Sequence, residues 1–152
     1  MKMKNLQENK DHLRSYRDHI IDEKREANGE VFTPTTLVQQ ILDQFPESEF
    51  KDPTRTWIDH CCGNGQFLSE ILIRKLENNH SLEQALSTVY GVEVCEENVK
   101  ECRERLLCGR EDLRYIVERN IVWHDALTYD YSFNGSNKNK QDAHFDNLFE
   151  IP

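Results

Sequence analysis

One twelve-residue stretch, Trp57-Ile58-Asp59-His60-Cys61-Cys62-Gly63-Asn64-Gly65-Gln66-Phe67-Leu68, most restricts the folds open to this chain. Its apolar opening, Trp57-Ile58, reads as a short buried strand. Gly63 and Gly65 permit a tight turn and close backbone approach. Phe67, Leu68, Ile71, Leu72 and Leu76 then recur at helical spacing. Strand, glycine turn and helix in that order present free backbone N–H groups to a ligand. Such a turn is also an ordinary strand–helix connection, so the flanking residues decide its meaning. Asp59, at the strand's end, is the informative one. A site for phosphate alone would avoid a carboxylate there, whereas a ligand carrying a cationic amine would want one.

Length and charge bound the rest. A chain of 152 residues predicts a single domain, 1–152. It carries 28 acidic against 19 basic residues, a net charge of −9. Non-specific nucleic-acid binding rests on positive charge, so the chain is expected to hold DNA only weakly when alone. No run approaches the roughly 20 apolar residues of a membrane span. No apolar segment follows Met1-Lys2-Met3-Lys4-Asn5. No membrane association, no secretion signal and a cytoplasmic location are therefore expected. Cys61, Cys62, Cys95, Cys102 and Cys108 form no paired C-x-x-C set, which predicts reduced thiols. The alternative is a zinc site using His60, His124 and these cysteines. Tetrahedral sites favour closely spaced ligand pairs, which counts against it.

The chain divides into amino-terminal helices over 1–45, a βαβαβ core over 56–130, and a polar loop with a short terminal strand over 131–152. Residues 4–27 predict one long amphipathic helix, with Leu6, Leu13, Tyr16 and Ile20 on one face and Asn28-Gly29 as its stop. That helix either covers the core or packs on a partner chain. Thr33 is a good N-cap and Pro34 a good first helical residue. Leu37, Val38, Ile41, Leu42 and Phe45 carry the second helix to about residue 45. Phe32-Thr33-Pro34 either only starts that helix or folds over a ligand at the glycine turn. Pro46 to Pro53 reads as a loop.

Strands are expected at 56–60, 88–94 and 120–124, and helices at 64–77, 81–87 and 96–107, with a further short helix around Leu113, Ile116 and Val117. In the 96–107 helix, Val99, Cys102 and Leu106 face the core, while Glu96, Glu97, Arg103 and Arg105 match the helix dipole. Residues 132–141 are polar and turn-rich, and His144 to Ile151 suggests a short fourth strand.

Each of the first three strands ends in an acid: Asp59, Glu93 and Asp125. In a parallel sheet these ends lie together at the carboxyl edge, where open α/β sheets bind ligands. A ligand with an ammonium group, a ribose diol and an adenine amino group suits the three in that order. S-adenosylmethionine carries all three groups.

These residues resemble the amino-terminal part of the gamma-type DNA adenine-N6 methyltransferases, in the family's motif order and over roughly residues 28–130. Phe32-Thr33-Pro34 resembles the motif that packs on the methionine end of the cofactor. Asp59 to Phe67 resembles the Asp-Pro-x-x-Gly-x-Gly-x-Phe motif, with His60 in place of proline. Gly91-Val92-Glu93 resembles the ribose-binding segment and Asp125-Ala126-Leu127 the adenine-contacting one. The resemblance implies an α/β, Rossmann-like methyltransferase fold with a mostly parallel sheet of about four strands in the order 3-2-1-4. It implies S-adenosylmethionine as cofactor, held by Phe32, Thr33, Pro34, Asp59, Cys61, Gly63, Gly65, Phe67, Glu93, Val94, Cys95, Asp125 and Ala126.

The family's catalytic Asn/Asp-Pro-Pro-Tyr/Phe motif, which receives a flipped base, has no counterpart here. Pro34, Pro46, Pro53 and Pro152 are the chain's prolines, and none are adjacent. Phe145-Asp146-Asn147-Leu148-Phe149 resembles the approach to the motif, after which the chain stops at Pro152. The expectation is a truncated fold with a complete cofactor half and no catalytic residues. A homodimer or a partner chain is expected at the exposed sheet edge. Methyl transfer is then expected only with a partner, and a non-catalytic S-adenosylmethionine binder or a regulatory or scaffold protein is the alternative.

Overall fold

The computed structural model describes residues 4–16 and 33–135. The expectations for Ile20, Phe32 and the fourth strand at 144–151 lie outside the described residues.

Three strands, β1 (Trp57–Asp59), β2 (Val89–Glu93) and β3 (Ile121–Trp123), form a parallel sheet in the order β1-β2-β3. Asp59 pairs with Gly91, Gly91 with Ile121, and Glu93 with Trp123. With β2 in the middle, this is the 3-2-1 part of the expected order. The fourth strand beside β1 is not among the described residues. Parallel neighbours need crossover connections, and helices supply them. α4 (Gln66–Glu77) and α5 (Leu82–Leu86) lead from β1 to β2. α6 (Glu96–Leu107), a 3-10 turn at Glu111–Leu113 and α7 (Arg114–Asn120) lead from β2 to β3. Before the sheet come α1 (Leu6–Arg14), α2 (Thr35–Leu42) and α3 (Ser48–Lys51).

The main core lies on one face of the sheet. Val89 and Ile121 meet Leu68 and Leu72 of α4, and Val99, Cys102 and Leu106 of α6. Strand alternation turns Val92 and Val122 to the other face, where Tyr129, Ala126 and Phe133 cover them. β2 and β3 carry buried residues on both faces, whereas β1 at the sheet's edge does not. None of the described helices is long and apolar enough to cross a membrane.

Three local expectations are corrected. The first helix stops at Arg14 rather than running to residue 27, because Ser15 turns back on it. The Ser15 N–H and hydroxyl both donate to the His12 carbonyl, at 3.1 and 2.6 Å. Such side-chain-to-backbone bonds compete with helix continuation. In the second helix Pro34, not Thr33, is the cap residue. Its ψ of 143° is extended and no side chain caps the turn, so the helix starts at Thr35 and ends at Leu42. The stretch Pro46–Pro53 contains α3, because Phe50 is buried and stacks on Trp57 with ring centroids 4.9 Å apart. Arg105 lies in the last turn of α6, where it matches the helix dipole as expected. It is buried, 2% exposed, with a role described below.

Candidate ligand-binding site

The glycine turn is pinned at its start and end. The Cys62 N–H donates to the Val92 carbonyl of the central strand at 3.0 Å, and the Gly65 N–H donates to Cys62 O at 2.8 Å. Between them the chain passes through the left-handed region at Gly63 (φ 54°) and Gly65 (φ 96°), which a side chain would oppose. Gly65 then caps α4, its carbonyl accepting from Ser69 N–H at 2.8 Å. The buried Asn64 side chain points away from the ligand side into α6. Its Nδ2 donates to Glu101 Oε1 at 3.3 Å and its Oδ1 accepts from Arg105 Nη1 at 3.4 Å.

The three strand-end acids share one device. Each accepts a hydrogen bond from the backbone N–H two residues on. Cys61 N–H reaches Asp59 Oδ1 at 3.0 Å, Cys95 N–H reaches Glu93 Oε2 at 3.0 Å, and Leu127 N–H reaches Asp125 Oδ1 at 2.9 Å. Turns of this kind are local properties of Asp and related side chains. Here each one orients a carboxylate at the carboxyl edge of its strand. The bonds occupy one oxygen of each group.

The carboxylates also act on one another's surroundings. Burial, and after it the charges of Asp59, Glu93 and Asp125, push the Cys61 thiol up, so all three acids bear on one point of the turn. Asp59 itself is raised by burial, which outweighs the Cys61 N–H and the nearby His60. A desolvated carboxylate favours its neutral form, and an adjacent cation reverses that preference. The chemistry of Asp59 therefore fits an ammonium group. A second tie joins the third acid's segment to the first. Tyr131 OH donates to Ala126 O at 2.7 Å and meets His60 Nδ1 at 3.1 Å. The residue standing where the family motif has proline is thus used as an anchor.

A cavity of about 610 Å³ opens over the turn, within the range of small-molecule sites. Of the expected residues, Thr33, Asp59, Cys61, Gly63, Phe67, Glu93 and Val94 line it. Pro34, Gly65, Cys95, Asp125 and Ala126 do not line it. Pro34 and Gly65 serve as helix caps, and Cys95 and Asp125 take part in the edge turns. Thr33 belongs to the site through its carbonyl, which accepts from Gln66 Nε2 at 2.8 Å and so holds the start of α2 against α4.

Several site residues were not among those expected. Asn98 lines the cavity and its Nδ2 donates to Glu93 Oε2 at 3.4 Å, fixing the second carboxylate from the first turn of α6. Ile41 and Phe45 supply an apolar wall. Ile41 lies on α2 and Phe45 just past its end, where the helix was expected to continue. Gly91 is the clearest omission. A Cβ there would stand 2.8 Å from Cys62 Sγ and 2.9 Å from Leu68 Cδ1, so the turn and α4 rest directly on β2 at this point. A glycine inside an apolar strand marks such close approach and was legible as that signal.

Another cavity, of about 620 Å³, lies among α1, α2 and α4. Both of its arginines are paired, Arg14 with Glu70 at 2.9 Å and Arg74 with Asp43 at 2.7 Å. All five cysteines are free thiols. The Cys62 thiol is pushed well up, first by its hydrogen bond with Cys102 and then by burial, which keeps it protonated. Among the described residues no group of three or more His, Cys, Asp or Glu is placed to hold a metal ion.

Comparison with known proteins agrees with this geometry. The chain is 28% identical over 119 residues to "Type II methyltransferase M.VspI" from Vibrio sp. (strain 343), a match covering 76% of this chain and 25% of that protein. It is 41% identical over 51 residues to an "Uncharacterized adenine-specific methylase" from Mycoplasma pneumoniae, covering 32% of this chain and 12% of the relative. The chain thus spans a quarter or less of the length of these relatives. No solved structure matches it. The N-6 DNA Methylase family model matches residues 18–148, a span that includes the glycine turn and all three strand-end acids, and the chain belongs to that family.

Proposed function

We propose that this chain is the S-adenosylmethionine-binding half of a DNA adenine-N6 methyltransferase, and that it transfers a methyl group only together with a second chain. The observation that carries this reading is the set of three strand-end carboxylates, each oriented by its own turn around one glycine loop. Methyltransferases of this family use S-adenosylmethionine, which supplies an electrophilic methyl group on a sulfonium centre.

The chain's own residues bind and orient. Asp59 holds the amine, directly or through water, and recovers the stabilisation that burial denies it. Glu93, steadied by Cys95 N–H and Asn98, takes the ribose hydroxyls. Asp125 takes the adenine amino group, with Val94, Cys95 and Ala126 beside the ring. Thr33 lies at the methionine end, where the family's Phe-Thr-Pro motif packs, and Phe67 and Cys61 pack at the turn.

The sequence contains no adjacent prolines, hence no Asn/Asp-Pro-Pro-aromatic segment to receive a flipped adenine. Its net charge of −9 favours DNA capture by a partner. The outer edge of β1 has no strand beside it among the described residues, and Ile58 there is 43% exposed. Open strand edges pair readily, so the reading puts a second copy or a partner chain at the sheet's exposed edge, that of the fourth strand expected beside β1.

Calorimetric titration of the purified chain with S-adenosylmethionine and S-adenosylhomocysteine tests the reading. Micromolar binding that Glu93→Ala abolishes is the expected result. No binding at millimolar ligand would overturn it and leave a scaffold. Binding without methyl transfer to DNA, in the presence of every candidate partner, would favour the second reading, a non-catalytic S-adenosylmethionine binder or regulator.

A further inference from the structure

We infer that Arg105 couples the docking of α1 to the shape of the glycine turn, which makes it a positioning residue for the site and makes α1 a part of the binding apparatus. The inference rests on the proposed cofactor role of that turn. It goes beyond that role by assigning control of the turn to residues outside the cavity.

The geometry is a single side chain that reaches both the end of α1 and the glycine turn. Arg105 Nε donates to the Leu13 carbonyl, in the last turn of α1, at 2.7 Å. Its Nη1 lies 3.4 Å from both the carbonyl and the side-chain Oδ1 of Asn64, between the two glycines of the turn. Its stem passes under the turn, with Cδ 3.8 Å from where a Cβ on Gly65 would stand. The Tyr16 ring, just past the end of α1, covers the guanidinium at 5.7 Å. A cation at a helix C-terminus answers the partial negative charge of the last carbonyls. At 2% exposure that interaction is shielded from water.

The other half of the grip comes from one helical turn earlier. Glu101 and Arg105 are four apart on α6 and share a face. Glu101 accepts from Asn64 Nδ2 at 3.3 Å while Arg105 donates to Asn64 Oδ1. The Asn64 amide is therefore held at both ends and in one orientation. Asn64 lies between the two positive-φ glycines, and Arg105 also holds its backbone carbonyl at 3.4 Å, so loss of that hold frees the Asn64–Gly65 peptide, and with it the Gly65 N–H, to turn. Arg105 donates to both Leu13 and Asn64, so undocking of α1 removes one of its acceptors and frees the guanidinium to leave Asn64. A planar fork with several donors can bridge such acceptors, and an ammonium cannot hold them in the same geometry.

The test compares the full-length chain with Arg105→Met, Arg105→Lys and Arg14→Ala. Arg14→Ala loosens α1 through its Glu70 pair and touches nothing in the turn. Two quantities are read: affinity for S-adenosylhomocysteine, and hydrogen exchange at the Gly63–Gln66 amides without ligand. Coupling predicts about tenfold weaker binding and faster turn exchange in Arg105→Met, partial loss in Arg105→Lys, and a smaller loss in Arg14→Ala. It also predicts that Arg14→Ala has no further effect on the turn once Arg105 is replaced, since neighbours in one network are not additive. Lower melting temperatures with turn exchange unchanged and affinity within twofold would overturn the inference. If Arg105→Met does not fold, Glu101→Gln combined with Arg14→Ala decides the same question. If the wild type binds no ligand, the cofactor reading fails, and the exchange data still decide the coupling.

Discussion

Replacing Gly91 with alanine is the sharpest probe of how the site is built. Gly91 lies in β2 with no positive φ, so the backbone can accept alanine without strain. The cost is steric. A Cβ would stand 2.8 Å from Cys62 Sγ, 2.9 Å from Leu68 Cδ1 and 3.1 Å from Cys62 Cβ. The leucine methyl and the thiol can rotate, but Cys62 Cβ moves only with the backbone of the turn. That backbone is tied to Val92 O by the Cys62 N–H at 3.0 Å. Overpacking of this kind costs about 1–3 kcal/mol. Restricting the unfolded chain returns roughly 0.4–1 kcal/mol. A net loss on the order of 1–2 kcal/mol lowers the melting temperature by about 2–8 °C in a domain of this size.

The assay is thermal denaturation by circular dichroism, paired with ligand titration. The displaced turn should also weaken S-adenosylhomocysteine binding. Adding Cys62→Ala removes the nearest atom and should restore part of the stability. An unchanged melting temperature in Gly91→Ala would refute the idea that β2 and the turn are in limiting contact.

Two further predictions concern charge and capping. The Asp59 pKa is raised by burial, so the folded state binds that proton more tightly than the unfolded chain does. Stability contributed by the protonated form is therefore lost as pH rises from the ordinary value of 3.8 through the raised one. Asp59→Asn should flatten that part of the unfolding pH profile and raise the melting temperature at pH 7. The same variant should bind S-adenosylmethionine at least roughly tenfold more weakly, because hydrogen bonds to charged groups are worth about 1.5–3 kcal/mol. A variant less stable at neutral pH would contradict the reasoning. Ser81 caps α5 by accepting from Gln84 N–H at 3.1 Å, with the reciprocal bond at 3.0 Å. Ser81→Ala should cost about 0.5–2 kcal/mol in urea denaturation and leave ligand affinity unchanged.

Much of the site was legible because its chemistry is local. An acid at the end of an apolar run needs only the residue two positions on to fix its carboxylate, as Asp59, Glu93 and Asp125 show. The glycine turn likewise announces itself by two residues with positive φ. Helix ends were less legible where competing groups were close in strength. Thr33 is a better cap than Pro34 by type, yet the extended ψ of Pro34 places the helix start one residue later. α3 was missed because it is a single turn between Pro46 and Pro53, too short for periodicity to reveal, and its burial comes from Phe50 stacking on Trp57.

The sequence by itself determined the parallel α/β alternation, the three acids, the glycine turn and the family. These follow from hydrophobic period and from side chains acting within a few residues of themselves. Only the tertiary structure decided how the turn is held. The Arg105 bonds to Leu13 and Asn64 span 92 and 41 residues, and Gly91 meets Cys62 across a strand pairing. A buried arginine on α6 reads in sequence only as a partner of the helix dipole. Its meaning changes once packing excludes water and leaves backbone carbonyls and the Asn64 amide to hold the charge, since a buried cation must find its hydrogen bonds inside the protein.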